Sequence, residues 1–224
     1  MTFSKTIVFP LSVKEKPNPA DRMVFETVIE HAAAALMSGQ VIAFPTDTVY
    51  GLGASVFDAK AVEKIYQIKE RPSEKPLSVL IGSADDMKQI AADVPAVALL
   101  LAEKFWPGPL TIILNKNSKI PDNVTCGKKT VGLRVPNHPV ALSLIQKTGP
   151  LACPSANLSG KKDPKSAADV LADLDGKIDI LIDGGETKIQ ISSTIIDLTE
   201  NPPKILRQGG LSIESIKECI GDLQ

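Results

Sequence analysis

The residues that could do chemistry in this chain are small hydroxyls, one amide and a scatter of cations near the ends of apolar runs. Thr46 and Thr48 follow the first such run, and Lys69, Arg71 and Lys75 come about twenty residues later. Thr130 and Arg134 share a second run, Ser155 and Asn157 a polar loop, and Ser193, Thr194 and Arg207 complete the set. In an α/β sheet, ligands settle outside strand ends, where loops converge. Several cations with hydroxyls but no evident general base suit an anionic ligand, with triphosphate the leading candidate. Phosphoryl or nucleotidyl transfer asks for positioning and charge neutralisation more than for a protein nucleophile.

Other chemistries lack their parts. There is no G-x-x-x-x-G-K-[ST] loop, and Gly51-Leu52-Gly53 has no third glycine of a dinucleotide fingerprint. No G-x-S-x-G is present, and the two histidines, His31 and His138, fall on unrelated helices. His138 reads as a helix-start residue and His31 as a surface one. The bland alternatives are plain too. Lys75, Lys128, Lys129, Lys161 and Lys162 would ordinarily be solvated loop charges, and Ser155 and Asn157 could merely form turns. Cys153 reads as a small packing residue and Trp106 as core or hinge. Arg134 resists such a reading, because a long cation in an apolar strand wants a paired anion.

The stretch from Val41 to Arg71 must position the first of these groups. Val41-Ile42-Ala43-Phe44 is a short apolar strand ended by Pro45. A polar loop carries Thr46, Asp47 and Thr48, and Gly51 and Gly53 let the backbone turn and approach something closely. Asp58 caps a helix with Ala61, Val62 and Ile65 on its apolar side, ending on Lys69-Glu70-Arg71. Around it, strands are expected at Ile7–Phe9, Leu77–Ile81, Leu110–Leu114, Thr130–Val135, Leu151–Cys153, Ile178–Ile182, Thr194–Leu198 and Lys204–Arg207. Helices are expected at Asp21–Ser38, from Ser83, from Pro95 to Phe105, from His138, from Lys165 to Leu174 and from Ser212. About eight or nine strands alternating with six or seven helices, some strands adjacent, give an α/β fold. Its architecture is a three-layer domain with a twisted mixed sheet flanked by helices.

The 224 residues suit one domain, with an N-terminal strand and tether over 1–20, a core over about 21–210 and a terminal helix over about 212–221. A net charge of -1 creates no global field for nucleic acid or membrane, and 4% aromatics argue against a base-stacking surface. Cys126, Cys153 and Cys219 are odd in number and lack metal-ligand spacing, which fits a reduced, cytoplasmic setting. No leader signature opens the chain, and no apolar run is of membrane-spanning length.

PTDTVYGLG at 45–53, KERPSEKPLSVLI at 69–81, WPGPLTIIL at 106–114, TVGLRVPNHP at 130–139, PSANLSG at 154–160 and SSTIIDL…ILRQGG at 192–210 together resemble the YrdC-like family. These are the threonylcarbamoyl-AMP synthases of tRNA modification. The likeness covers nearly everything after about residue 20, and six ordered motifs make it specific. In form it resembles the short, single-domain type, or a trimmed piece of a longer two-domain member.

The resemblance implies ATP-dependent formation of threonylcarbamoyl-AMP from L-threonine and bicarbonate or CO2, with pyrophosphate released and Mg2+ accompanying ATP. The product would pass to partner proteins that modify tRNA, and weak tRNA binding is left open. The implied catalytic tetrad is Lys69, Arg71, Ser155 and Asn157. ATP would meet Arg71, Lys75, Thr130, Ser155, Asp163 and Arg207, and threonine would meet Thr48, Arg134, the main chain at Cys153, and Ser193. No protein ligands for a metal are identifiable. Two other readings stand beside this one. The first is an RNA-binding module with a lysine rim (Lys116, Lys119, Lys128, Lys129, Lys161, Lys162) and no turnover. The second is a carbamoyl-transfer domain that uses carbamoyl phosphate.

Overall fold

The computed structural model describes residues 5–13 and 16–224, so part of the expected 1–20 tether lies outside the described residues. The strands are β1 (Ile7–Pro10), β2 (Ile42–Phe44), β3 (Gly51–Ser55), β4 (Ser78–Leu80) and β5 (Leu110–Asn115). They continue with β6 (Thr130–Arg134), β7 (Leu151–Ala152), β8 (Ile180–Asp183), β9 (Thr194–Asp197) and β10 (Lys204–Arg207). The helices are α1 (Pro19–Met37), α2 (Ala59–Lys69), α3 (Met87–Ile90), α4 (Ala96–Phe105), α5 (Asp122–Thr125), α6 (Pro139–Thr148), α7 (Ala167–Leu174) and α8 (Ile213–Ile220).

Ten strands join in one sheet of order β1-β8-β2-β3-β7-β4-β6-β5-β9-β10. Parallel pairs (β1 with β8, β2 with β8, β4 with β6, β5 with β9) mix with antiparallel ones (β2 with β3, β3 with β7, β5 with β6), as expected for a mixed sheet. Strand and helix numbers exceed the sequence estimate among the described residues. The additions are β3 and the four-residue helix α5, which is too short to show a period, while α3 falls within the helix expected from Ser83.

β3 corrects the reading of Gly51 and Gly53 as a tight bend. They lie in a strand, and their missing side chains serve close packing instead. A Cβ on Gly53 would stand 2.5 Å from Phe44 Cε1, and one on Gly51 would overlap Cys153 Sγ. Helix starts follow their caps. Asn18 and Asp21 form a capping box ahead of Pro19, two residues before the expected start of α1. The Asp58 side chain accepts from the Lys60 and Ala61 N–H groups at α2, as its sequence position suggested.

Alternation along the strands divides the core in two. Ile42 and Phe44 pack with α1 and α6, while Ala43, Leu52, Val79, Ile112 and Leu133 face α2, α4, α7 and α8. The α1/α6 layer backs only part of its face. Beyond it, that same face of β4, β6, β5 and β9 carries Ser78, Leu80, Arg134, Thr111 and Ile195, and these line a hollow.

Gly53→Ala should lower stability by about 1–3 kcal/mol, because Phe44 must shift. In denaturant unfolding, Gly53→Ala combined with Phe44→Leu should lose less than the sum of the two single losses.

Candidate functional site

The hollow is an open cavity with an inner volume of about 190 Å3. Its floor is the bare sheet face. Its walls are the Thr46–Tyr50 loop after β2, the Pro154–Ser155 loop after β7, and the residues running into β9. Arg71, Arg134 and Arg207 line it, with Asp163 the one carboxylate among its lining residues.

Arg134 ends β6 and is 6% exposed. Its Nε donates to Gly108 O (2.9 Å), Nη1 to Thr48 Oγ1 (2.8 Å) and Nη2 to Asp47 Oδ1 (2.5 Å). Asp47 Oδ1 also accepts from Asn137 N–H, while its Oδ2 is buried without a partner among the described residues. Burial pulls the guanidinium below its ordinary value and Asp47 pushes back. The anion that Arg134 demanded therefore sits in the organising loop, one residue before Thr48. Three of its five N–H groups are spent, leaving two for a ligand.

Arg71 and Arg207 are less fully engaged. Arg71 donates through Nε to Lys75 O and through Nη2 to Pro76 O, and the Tyr66 hydroxyl also interacts with it. Arg207 donates through Nε to Ser193 O and through Nη2 to Ser193 Oγ, with no partner for Nη1 among the described residues. Burial lowers both, and Asp163 opposes it at Arg207. Asp163 Oδ2 accepts from Ser192 Oγ, tying two walls together.

Lys69 is placed differently from the expectation of a charge at the reaction centre. It is 1% exposed, on the same stripe of α2 as Ala61, Val62 and Ile65, and does not line the cavity. Its ammonium donates to Ser155 O (2.6 Å), Asn157 O (2.5 Å) and Asn157 Oδ1 (3.2 Å). Ser155 Oγ donates to the same Asn157 Oδ1, and Asn157 Nδ2 reaches Lys161 O and Lys162 O. Burial and then Arg71 push Lys69 down to about 8. Lys69 and Asn157 thus form a polar knot that shapes the 155–162 loop and sets Ser155 at the cavity wall.

The remaining expected residues divide. Thr48, Ser155, Asp163 and Ser193 line the hollow. Lys75 contributes its carbonyl, which accepts from Arg71 and Tyr66, and it is not among the lining residues. Thr130 stands at the other end of β6 from Arg134, outside the lining. Thr194 is buried, with its hydroxyl given to Leu211 O. Cys153 lines the cavity, but burial pushes its thiol up to about 12, making it inert packing. Its N–H donates to Ser78 O. Trp106 donates through Nε1 to Leu110 O and packs against the core. The sequence reading passed over Asp47, Ser78, Thr111 and Ser192. Only Asp47 had a signal, as the acid nearest the PTDT hydroxyls.

His138 caps α6, with its Nδ1 accepting from Val140 N–H. Burial pushes its imidazole down to about 4, against the pull of Asp47.

Fold and cavity together define a three-layer α/β domain with a cation-rimmed site on an open sheet face. The chain belongs to the Sua5/yciO/yrdC family, whose model, described as "Telomere recombination", matches residues 34–209. The protein named threonylcarbamoyl-AMP synthase from Pyrococcus abyssi is 48% identical over 200 residues, covering 89% of this chain and 59% of its own length. The Bacillus subtilis protein of the same name is 46% identical over 197 residues, covering 87% and 57%. This chain therefore spans less than two thirds of those relatives. The crystal structure of P. abyssi Sua5 complexed with L-threonine superposes with a TM-score of 0.91 at 44% identity, covering 98% of this chain and 63% of that one. Escherichia coli YciO gives 0.80 at 27% identity, with 95% and 99% covered.

Lys69→Met keeps the bulk of the side chain and deletes the knot. Amide exchange over 158–162 should speed at least about tenfold while β5 and β6 stay protected, as read by hydrogen-exchange mass spectrometry.

A second expectation concerns acid. The unfolded chain protonates His138 near 6.5 and the folded one only near 4. Between those values the unfolded state holds more protons, so stability falls as pH drops through that window. His138→Asn retains a cap acceptor and should flatten this loss in urea midpoints taken from about pH 7 to pH 4.

Proposed function

We propose that this chain makes threonylcarbamoyl-AMP from L-threonine, bicarbonate or CO2 and ATP, releasing pyrophosphate, for threonylcarbamoyladenosine formation in tRNA. The observation that carries the reading is the pairing, across one hollow, of two guanidiniums (Arg71, Arg207) with a buried Arg134–Thr48–Ser193 side. The names of the relatives point the same way.

The amino acid occupies the inner side. Its carboxylate meets the two remaining N–H groups of Arg134, and Thr48 and Ser193 flank it. Its amine, once neutral, attacks CO2, and the carbamate oxygen then displaces pyrophosphate from the α-phosphate. Arg71 and Arg207 offset charge on the nucleotide's tail, with Ser155 beside it, and no covalent enzyme intermediate is needed. Lys69 and Asn157 position that loop rather than touch substrate. Lys75 and Thr130 come to the nucleotide only if it extends beyond the lined cavity. Mg2+ would come with the nucleotide's phosphates. Asp163, with Oδ1 unspent, is the lining residue that fits it.

The reaction belongs in a cytoplasmic setting, where free thiols such as Cys126, Cys153 and Cys219 persist. Partner proteins take up the product, and the lysine rim serves weak tRNA contact at most. No helix among the described residues is long and apolar enough to cross a membrane.

The test is pyrophosphate release from ATP with and without L-threonine and bicarbonate, alongside an ATP plus carbamoyl phosphate arm. Release should require threonine, and Arg71→Ala should reduce it at least about a hundredfold with an unchanged circular-dichroism spectrum. Threonine-independent release, or release driven by carbamoyl phosphate, would overturn the assignment.

A further inference from the structure

Thr111 and Ser193 are 2% and 6% exposed, and both line the hollow. Their hydroxyl oxygens lie 2.7 Å apart, joining β5 to the residue that precedes β9. The Thr111 methyl rests on the bare backbone of Gly132, where an added Cβ would stand 3.1 Å from it. That packing leaves the Thr111 hydroxyl turned to Ser193.

A donor count over this cluster does not close. Two hydroxyl protons are present, and Arg207 Nη2 adds a third donor, aimed at Ser193 Oγ (3.3 Å). One hydroxyl proton is used between the pair. Neither hydroxyl has another protein acceptor among the described residues. One buried O–H proton is therefore left over, in the cavity wall, where an unpaired donor costs about 1–3 kcal/mol. It wants an acceptor from a ligand.

We infer that Thr111 is a positioning residue for the amino-acid site: it donates to Ser193 Oγ, and Ser193 in turn gives its own proton to an anionic oxygen of the bound substrate. A hydroxyl that accepts from both Arg207 and Thr111 has its lone pairs filled, so only its proton remains to engage a ligand. Accepting from a cation strengthens it as a donor, which matches a carboxylate rather than a neutral oxygen. Thr111 thus acts on the substrate through Ser193 without touching it. The inference rests on the proposed amino-acid substrate.

The experiment compares Thr111→Val, which keeps shape and loses the hydroxyl, with Thr111→Ser, which keeps the hydroxyl. Pyrophosphate release gives the Michaelis constants for L-threonine and for ATP, and calorimetric titration of L-threonine gives binding without turnover. Thermal melting of each variant checks folding. Thr111→Val should raise the Michaelis constant and the dissociation constant for L-threonine roughly five- to tenfold, with kcat and the constant for ATP within about twofold. Thr111→Ser should stay near the wild type. Unchanged threonine affinity in Thr111→Val overturns the inference. So does an equal loss in Thr111→Ser, which would assign the effect to packing rather than to the hydroxyl, or a parallel loss for ATP, which would mean general damage. If the wild type binds threonine without turnover, the reaction assignment fails while calorimetry still decides the role of Thr111. If it binds no threonine, both fall.

Discussion

The buried ion pair between Arg134 and Asp47 is the constraint on which the rest of the site depends. Burying a guanidinium is expensive unless its hydrogen bonds are met and an opposite charge lies beside it. Both conditions hold here, and meeting them draws separate parts of the chain together. Asp47 and Thr48 come from the loop after β2, Gly108 from the turn before β5, Asn137 from the turn before α6, and Arg134 from the end of β6. The pair also sets the electrostatics. With Arg134 largely offset by Asp47, the net pull on an anion falls to Arg71 and Arg207 at the rim. Arg134 is left to orient rather than to attract.

A second buried cation does comparable work with another kind of partner. Lys69 faces oxygens of Ser155 and Asn157 and no carboxylate within hydrogen-bond range. Carbonyl dipoles can hold an ammonium, and they specify the loop's shape in doing so, because three acceptors must converge on one nitrogen. Two buried cations in this protein are therefore structural determinants of the site, Arg134 from within its lining and Lys69 from behind it. Both lie at the junction of a regular element with a loop.

Much of this was legible in the residues. Strand positions, the mixed sheet and most helix ends followed from apolar runs and from starts such as Asp58 and Ser212. The demand of Arg134 for an anion was readable from its apolar neighbours, and Asp47 stood in the loop already singled out. Lys69 carried a signal that went unread: it lies four residues beyond Ile65, on the buried stripe of α2. Gly51 and Gly53 misled because a glycine that admits a neighbour's ring looks, in sequence, like one that makes a turn. Thr111 was hidden for a different reason. It alternates correctly within an apolar strand, and nothing local reveals that the helical layer stops short of it. Which stretch of a sheet face is left bare is decided by the reach of α1 and α6, elements far away along the chain.

That one-sided backing also grades the rigidity of the molecule. The β8-β2 region is clamped between two helical layers, whereas β10 is an edge strand, largely exposed, with a register irregularity between Ile205 and Arg207. Opening costs least where buried contacts are fewest. Arg207 and its anchor Ser193 sit at this softest margin, so whatever they grip is bound at the expense of local fraying. Mass action then makes the occupied protein stiffer along that border than the empty one, and the frontier between order and looseness moves outward with each binding event.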